Sequence, residues 1–133
     1  MTEIDELSGV ELDRAVALAL GWREVAGGAW FEDSNNTPWY ISADSEPVYI
    51  GKRLATFSPH SDIAQAFFVG MILSWIFEES RNHSLHRDYV YAQCCDGYCN
   101  YWSIAYYDSD EEKFAAYATA RCRAWLKAMQ DAE

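Results

Sequence analysis

The clearest hydrophobic pattern lies near the amino end of the chain, where apolar residues recur at the spacing of an α-helix. The stripe comprises Leu12, Val16, Ala19 and Leu20. Ser8 lies three residues before Glu11, which is the spacing of a capping box. Gly21 follows the last apolar position, where glycine commonly ends a helix in the left-handed conformation. The pattern therefore predicts a helix that begins after Ser8 and ends at Gly21.

A second stretch with the same periodicity closes the chain and predicts another helix, which begins near Ser109. Ser109 and Glu112 have the spacing of a second capping box. The apolar stripe comprises Phe114, Ala118, Cys122, Trp125 and Met129. Acidic residues precede basic ones along this helix, as the helix dipole favours. They are Asp110, Glu111 and Glu112 at its start, then Arg121, Arg123 and Lys127 towards its end.

Short β-prone runs separated by turn residues follow the first helix. Gly27-Gly28 lies between two apolar pieces within residues 22–32 and predicts a hairpin. Residues 39–41 and 48–50 are rich in β-branched and aromatic side chains, which predicts two more strands.

The middle of the chain, residues 62–79, is apolar on nearly every helical face. Ser61 or Asp62 can cap its start, and Asp62 and Gln65 have capping-box spacing. This pattern predicts a central helix that is enclosed by other elements or by a second subunit. A homodimer is therefore one expectation from the sequence.

Two β-prone runs, 88–95 and 98–107, meet at Asp96-Gly97, which is a strong signal for a hairpin. A two-residue turn there predicts these facing pairs: Cys94 with Cys99, and Tyr91 with Trp102. One face then carries large side chains, namely Tyr89, Tyr91, Tyr98, Trp102, Ile104 and Tyr106. The other carries Val90, Ala92, Cys94, Cys99, Ser103 and Ala105. We expect the small face to let a helix approach closely and the large face to cover a core. Exposed aromatic rings there would instead mark a binding patch.

Composition narrows the class of protein. The chain has 133 residues, of which 50% are hydrophobic and 16% aromatic, enough to build one domain with a real core. No internal repeat or linker is visible, so residues 1–133 are expected to form a single domain. The sequence shows no signal peptide, which would need a basic n-region and an apolar h-region. It also shows no run of roughly 20 apolar residues that could form a membrane helix. Both observations predict a cytoplasmic protein with no membrane partner.

The charge of the chain points to the kind of partner. Its 21 acidic and 10 basic residues give a formal net charge of −11. A surface of this sign repels phosphate backbones, so direct nucleic-acid binding is not expected. It favours solubility, or a partner with a basic surface.

The four cysteines have two readings. Because no secretory context is visible, reduced thiols are the first expectation, with a Cys94–Cys99 disulfide as the alternative. The adjacent pair Cys94-Cys95 directs its side chains to opposite faces of a strand, unlike the ligands of structural zinc sites. No metal or cofactor is predicted. A small metal protein or enzyme remains as an alternative, using His83, His86, Cys94, Cys95 and Cys99.

His60 stands beside several polar side chains that could suggest a hydrolase: Ser58, Ser61 and Asp62. The sequence contexts that present a catalytic serine, such as Gly-x-Ser-x-Gly, are absent. Residues that cap a helix explain the cluster, so no catalytic residue is predicted.

Acidic residues crowd the amino end and the start of the last helix. The candidate partner-binding set is Glu3, Asp5 and Glu6, together with Asp108, Asp110, Glu111 and Glu112. Helix capping and solvation are one explanation for these residues. The other is a surface that imitates a phosphate backbone and binds the basic groove of a host protein.

Three segments in order, 11–22, 57–66 and 115–124, resemble the phage ABA-sandwich domain family of small phage and prophage proteins. The resemblance implies a sheet with helices on both sides and implies no catalytic residues. The strongly apolar segment 67–77 and the cysteine-rich hairpin depart from the family's pattern.

Together these features predict an α+β fold: a single-domain α/β/α sandwich with three main helices and a mostly antiparallel sheet that includes a β-hairpin in the carboxy-terminal half. The predicted function is a non-enzymatic, acidic phage-type accessory protein in the cytoplasm of a bacterial host. It would bind and inhibit a host complex with a basic nucleic-acid groove, in the manner of anti-CRISPR proteins. An oligomeric structural or virion-associated protein is the second expectation.

Overall fold

The computed structural model describes residues 3–25, 29–42 and 47–131. The amino-terminal elements are a 3₁₀ helix at Ile4–Glu6, α1 at Gly9–Ala19, β1 at Arg23–Glu24, β2 at Trp30–Glu32, β3 at Pro38–Tyr40, β4 at Tyr49–Ile50 and β5 at Arg53–Leu54. The remaining elements are α2 at Ile63–Phe68, β6 at Ser74–Asn82, β7 at Arg87–Cys95, β8 at Asn100–Tyr107 and α3 at Asp110–Asp131. The predicted α+β class, with three helices and antiparallel sheets, is confirmed within these residues.

The first helix begins and ends where the sequence pattern predicts. Its amino-terminal cap is Ser8, and Gly21 follows its end with a φ of +87°. The predicted capping box does not form, because the Ser8 side chain makes no capping hydrogen bond. Tertiary packing holds this end instead, since Leu7 packs against the core that contains Leu12.

Two small antiparallel sheets follow α1. The strands β1, β2 and β3 form one sheet, and β4 pairs with β5 in the other, which confirms the strands predicted near residues 39–41 and 48–50. The predicted hairpin residues Gly27-Gly28 lie outside the described residues, although the strands on either side of them do pair.

The predicted central helix over residues 62–79 is wrong. Only α2 is helical, and the chain turns at Gly70, where φ is +67°, before it enters β6. Within β6 the side chains alternate, so that Trp75 and Phe77 pack on the core while Ile76 lies on the opposite face. An apolar run with this alternation satisfies a strand as well as a helix. The last backbone carbonyls of α2 accept hydrogen bonds from the Arg121 side chain of α3, and these bonds fix where the helix ends.

The hairpin between β7 and β8 has the predicted faces but a different register. Cys94 lies opposite Tyr101, and Tyr91 lies opposite Ile104, so both predicted pairs are wrong. The loop has four residues because the Asp96 carboxylate accepts the backbone N–H groups of residues 98 and 99, each at 2.9 Å. A shift of two residues leaves the strand residues on their predicted faces, since the strand period is two, but it places Tyr98 and Cys99 in the loop instead of on a face.

The small face of this sheet receives α3, as predicted. Four alanines of α3 meet it at one-turn spacing: Ala116, Ala120, Ala124 and Ala128. The opposite side of α3 carries Ala118, Cys122 and Trp125 into the core formed with α1 and α2. The helix therefore lies between the three-stranded sheet and the other two helices, and it is buried on both sides.

A glycine fits the turn after α2 for two separate reasons. Gly70 has a left-handed backbone, and a Cβ atom there would lie 2.4 Å from Cδ1 of Trp125. The indole of Trp75 also donates to the Gly70 carbonyl at 2.9 Å, which holds the turn against the core.

We expect Gly70→Ala to lower the free energy of unfolding by about 2–5 kcal/mol, because backbone strain and the clash with Trp125 add. The matched control is Gly51→Ala, with a φ of +63° and open space around its Cβ, which should cost about 1–2 kcal/mol. Urea unfolding of both variants measures the difference. Equal losses would show that Trp125 does not pack against this turn.

Candidate functional site

A cleft of about 750 Å³ lies between α3 and the edge strand β8. One wall consists of α3 side chains: Glu112, Ala115, Ala116, Thr119 and Arg123. The other wall is β8, with Trp102, Ile104 and Tyr106. Along α3 this α3–β8 cleft spans roughly 16 Å, at 1.5 Å per helical residue. Asp5 and His60 also line it.

Two cations of α3 bind backbone carbonyls of β8, and one of them, Arg123, lines the cleft. Lys127 Nζ donates to the Trp102 carbonyl at 2.7 Å, and Arg123 Nη1 donates to the Ile104 carbonyl at 3.1 Å. Arg123 Nε also binds the Leu7 carbonyl at 2.9 Å. Both β8 carbonyls point away from β7, so these bonds cover part of an exposed sheet edge. Burial lowers the pKa of Arg123. The two cations thus serve the fold rather than the solvent-facing surface.

Asp5 closes one end of the cleft. Ser103 Oγ donates to one carboxylate oxygen at 2.7 Å, and Lys127 Nζ donates to the other at 2.8 Å. Burial raises the pKa of Asp5, but the hydrogen bonds from Lys127 and Ser103 outweigh burial and lower it below the ordinary value. Asp5 is therefore ionised at neutral pH and already holds one cation.

The start of α3 closes the other end. Arg87 Nε lies 3.1 Å from Asp108 Oδ1, and Glu112 Oε2 accepts the Asp108 backbone N–H at 3.3 Å. The second predicted capping box is therefore shifted by one residue, since Glu112 reaches the residue before Ser109. Asp110 and Glu111 are exposed in the first turn of α3.

The fold brings the two predicted acidic clusters to one cleft but leaves them at opposite ends. Asp5 and Glu112 line it, and Asp108 is tied to the cleft residue Arg87. The other predicted residues are next to these in the chain: Glu3 and Glu6 beside Asp5, and Asp110 and Glu111 beside Glu112. The cleft lining itself contains two of the seven predicted carboxylates, Asp5 and Glu112, and two basic side chains, Arg87 and Arg123.

Nearly all basic side chains of the protein are bound by the protein itself. Six form ion pairs with carboxylates: Arg14, Arg23, Arg81, Arg87, Lys113 and Lys127. Three donate to backbone carbonyls: Arg53, Arg121 and Arg123. The chain carries 21 acidic residues against these cations, so many exposed carboxylates of the described residues, such as Asp110 and Glu111, have no Lys or Arg of the chain bound to them. The sequence suggested that the basic residues of α3 stabilise the helix dipole. This interpretation is wrong, because they lie before the last turn of the helix and bind other elements.

A buried aspartate and a histidine form a pair at the cleft that sequence reasoning missed. Asp13 is 2% exposed, and its carboxylate accepts the His60 backbone N–H at 2.9 Å and lies 2.6 Å from His60 Nδ1. Thr119 Oγ1 donates to the His60 carbonyl at 2.8 Å. Burial raises the pKa of Asp13 despite the opposing hydrogen bonds and charge of His60. When the His60 proton is on Nδ1, Nε2 remains as an acceptor for a ligand.

The capping interpretation of the His60 segment is therefore only partly confirmed. Asp62 does cap α2, because its Oδ1 accepts the N–H groups of residues 64 and 65. His60 instead reaches 47 residues back along the chain to Asp13. The sequence feature that could have indicated this pair is Asp13 itself, an acidic residue beside Leu12 on the buried side of α1.

The alternative metal site is not assembled. His83 and His86 lie at the turn that precedes β7, whereas Cys94 and Cys95 end that strand, roughly 26 Å away at about 3.3 Å per residue. Cys94 faces α3, where its thiol lies 3.7 Å from the Ala124 carbonyl, and Cys99 is in the loop. All four cysteines are free, so the alternative disulfide is wrong in this structure. The described residues contain no group of three or more His, Cys, Asp or Glu side chains that could hold a metal ion.

The aromatic face of the hairpin is partly exposed. Trp102 is 51% exposed and stacks on Tyr91, while Tyr89 packs against Tyr106. Its rings mostly cover one another instead of a second layer.

Comparison with known proteins gave no family model, curated protein or solved structure that matches this chain. Among the residues that the structure describes, no helix combines the length and the apolar character needed to cross a bilayer.

The raised pKa of Asp13 predicts the direction in which stability changes with pH. The folded chain holds this proton more tightly than the unfolded chain, so the contribution of Asp13 to stability is full below its ordinary pKa of 3.8 and declines as pH rises through the raised value. The difference in unfolding free energy between wild type and Asp13→Asn should therefore be largest below pH 3.8 and fall as the pH rises from there towards neutrality. Urea unfolding over this range measures it.

Asp33→Asn is the control of opposite sign. Burial raises the pKa of Asp33, but hydrogen bonds from Thr37, Trp39 and Asn35 lower it overall. The advantage of wild type over this variant should grow as pH rises. A growing advantage over Asp13→Asn as well would mean that Asp13 is a stabilised carboxylate, contrary to the effect of its burial.

Proposed function

We propose that this chain is a non-enzymatic, acidic accessory protein of phage type that acts in the cytoplasm of a bacterial host. It binds a host protein complex at a basic nucleic-acid groove and thereby inhibits that complex. The observation that carries the proposal is the internal use of the chain's own cations, which leaves carboxylates at both ends of the α3–β8 cleft facing outwards.

The charge density at the start of α3 resembles that of a nucleic acid. Asp110, Glu111 and Glu112 are consecutive, so their axial spacing is about 1.5 Å per charge. Double-stranded DNA carries one charge per about 1.7 Å of its axis. Successive side chains diverge by about 100° around the helix axis, so a basic groove would meet them as a compact cluster of negative charge at the helix start.

Rigid placement adds to this electrostatic fit. These carboxylates belong to a helix of 22 residues that is packed on both sides, so little ordering entropy is lost when a partner binds. Charge-assisted hydrogen bonds from a partner's Arg side chains would then form without rearrangement.

The first test reverses charge at the start of α3. Asp110→Lys with Glu111→Lys should weaken capture of the host partner by roughly tenfold or more, through lost attraction and new repulsion. Glu112 is left intact because it accepts the Asp108 backbone N–H, and its loss would disturb the helix start. Immobilised protein is exposed to bacterial lysate, and captured proteins are identified by mass spectrometry.

The matched control is Glu11→Lys with Glu78→Lys, two exposed positions that change the net charge equally. The control should retain the partner that the α3 variant loses, and duplex DNA should displace that partner from wild type. Capture of the same proteins by wild type and the α3 variant would overturn the proposal.

A second prediction concerns salt. Because the attraction is between exposed charges, raising the ionic strength from about 0.05 M to about 0.5 M should weaken binding steeply as the Debye length shrinks. Biolayer interferometry with the captured partner measures the slope. An affinity that is independent of salt would contradict an electrostatic interface.

A further inference from the structure

An exposed apolar surface lies around the end of α2. It consists of large side chains with these exposed fractions: Leu20 38%, Phe67 48%, Phe68 72%, Met71 64% and Ile72 93%. We name these five side chains the apolar face. Monomeric proteins rarely expose an apolar patch larger than a few hundred Å², so a surface of this kind indicates a binding site for another molecule.

The apolar face contains both a projection and a groove. Met71 and Ile72 project from the turn that follows Gly70. Leu20 and Phe68 form part of a groove of about 270 Å³ whose other walls are Trp22, Trp39, Phe57, Gln65 and Val69. A surface that carries both shapes can be complementary to itself, because a two-fold axis places each projection in the other copy's groove.

The size of the apolar face suits a pair of identical chains. Large apolar side chains expose about 200 Å² each when free, so the five exposed fractions correspond to roughly 600 Å². A stable interface needs about 600–1,000 Å² from each partner. The groove walls contribute additional area.

The charges of the molecule favour a second copy over a foreign basic protein at this face. The five side chains and the groove walls include no acidic or basic residue. A basic partner gains little here, whereas the carboxylates of the α3–β8 cleft attract it. Two copies with a net charge of −11 each can associate only through a surface that keeps their carboxylates apart.

We infer that a second copy of this chain binds the apolar face, forming a two-fold symmetric dimer in which Ile72 of each copy enters the other's groove. Four of the five residues lie in the apolar segment 62–79 that the sequence suggested for a dimer contact, but they lie at the end of α2 and in the turn after it instead of on one long helix. The inference is independent of the proposed function, because no residue of the apolar face lines the α3–β8 cleft.

Sedimentation equilibrium of the full chain tests the dimer. We expect the mass to rise from 15.2 kDa towards twice that value as the concentration increases to about 100 µM, and high salt should not dissociate the dimer. Phe68→Glu and Ile72→Glu should each weaken dimerisation at least tenfold, because each places two carboxylates in an apolar interface. Both positions are exposed in one chain, so circular dichroism should show a folded monomer.

Leu85→Glu is the matched control, since Leu85 is 55% exposed in the turn between β6 and β7, at the opposite end of β6 from Ile72. Its dimer should match that of wild type. A mass of 15.2 kDa at every concentration would overturn the inference, as would a dimer that both apolar-face variants retain. Dissociation by salt would place the contact on charged residues and would also overturn it.

Discussion

The structure depends on one buried cation, the guanidinium of Arg121. It donates to the carbonyls of Ala66 at 2.7 Å and of Phe67 and Val69 at 2.9 Å each, all at the end of α2. A six-residue helix is marginal by itself, so these bonds decide where it stops. Burial lowers the pKa of Arg121 to about 10, which leaves it charged at neutral pH, and the Trp75 ring lies 4.0 Å away. Helix α3 thereby sets both the end of α2 and the start of β6.

Two further cations of α3 also donate to backbone carbonyls of neighbouring elements, which links the fold to the surface charge. Arg123 binds carbonyls of the amino-terminal segment and of β8, and Lys127 binds another carbonyl of β8. Each contact supplies a donor to backbone that lacks a partner in its own element. Because the few cations are drawn into these roles, the outward-facing charges are mostly carboxylates. The negative sign of the surface follows from the composition, 21 acidic and 10 basic residues, and these contacts leave fewer cations free to offset it.

Local patterns predicted what local interactions decide. The ends of α1, the short strands and the two faces of the hairpin follow from periodicity and turn residues, which act over a few positions. The change from helix to strand after Phe68 does not, because residues 67–77 fit both patterns and Arg121 decides between them from over 50 positions away. The Asp13–His60 pair was likewise invisible, since its members are 47 residues apart. The acidic residues could be predicted, but not their placement around one cleft.

Two of the seven predicted partner-binding carboxylates already hold cations of the chain, and these pairs are compatible with the proposed binding of a basic partner. Asp5 pairs with Lys127 and Asp108 pairs with Arg87, and the side chains are 26–68% exposed. Exposed ion pairs contribute about 0–1 kcal/mol, so a partner's arginine can replace either cation at little cost. Lys127 would keep its bond to the Trp102 carbonyl after such an exchange, and the sheet edge would remain covered. The internal pairs therefore hold the cleft in shape before binding and still leave its carboxylates available.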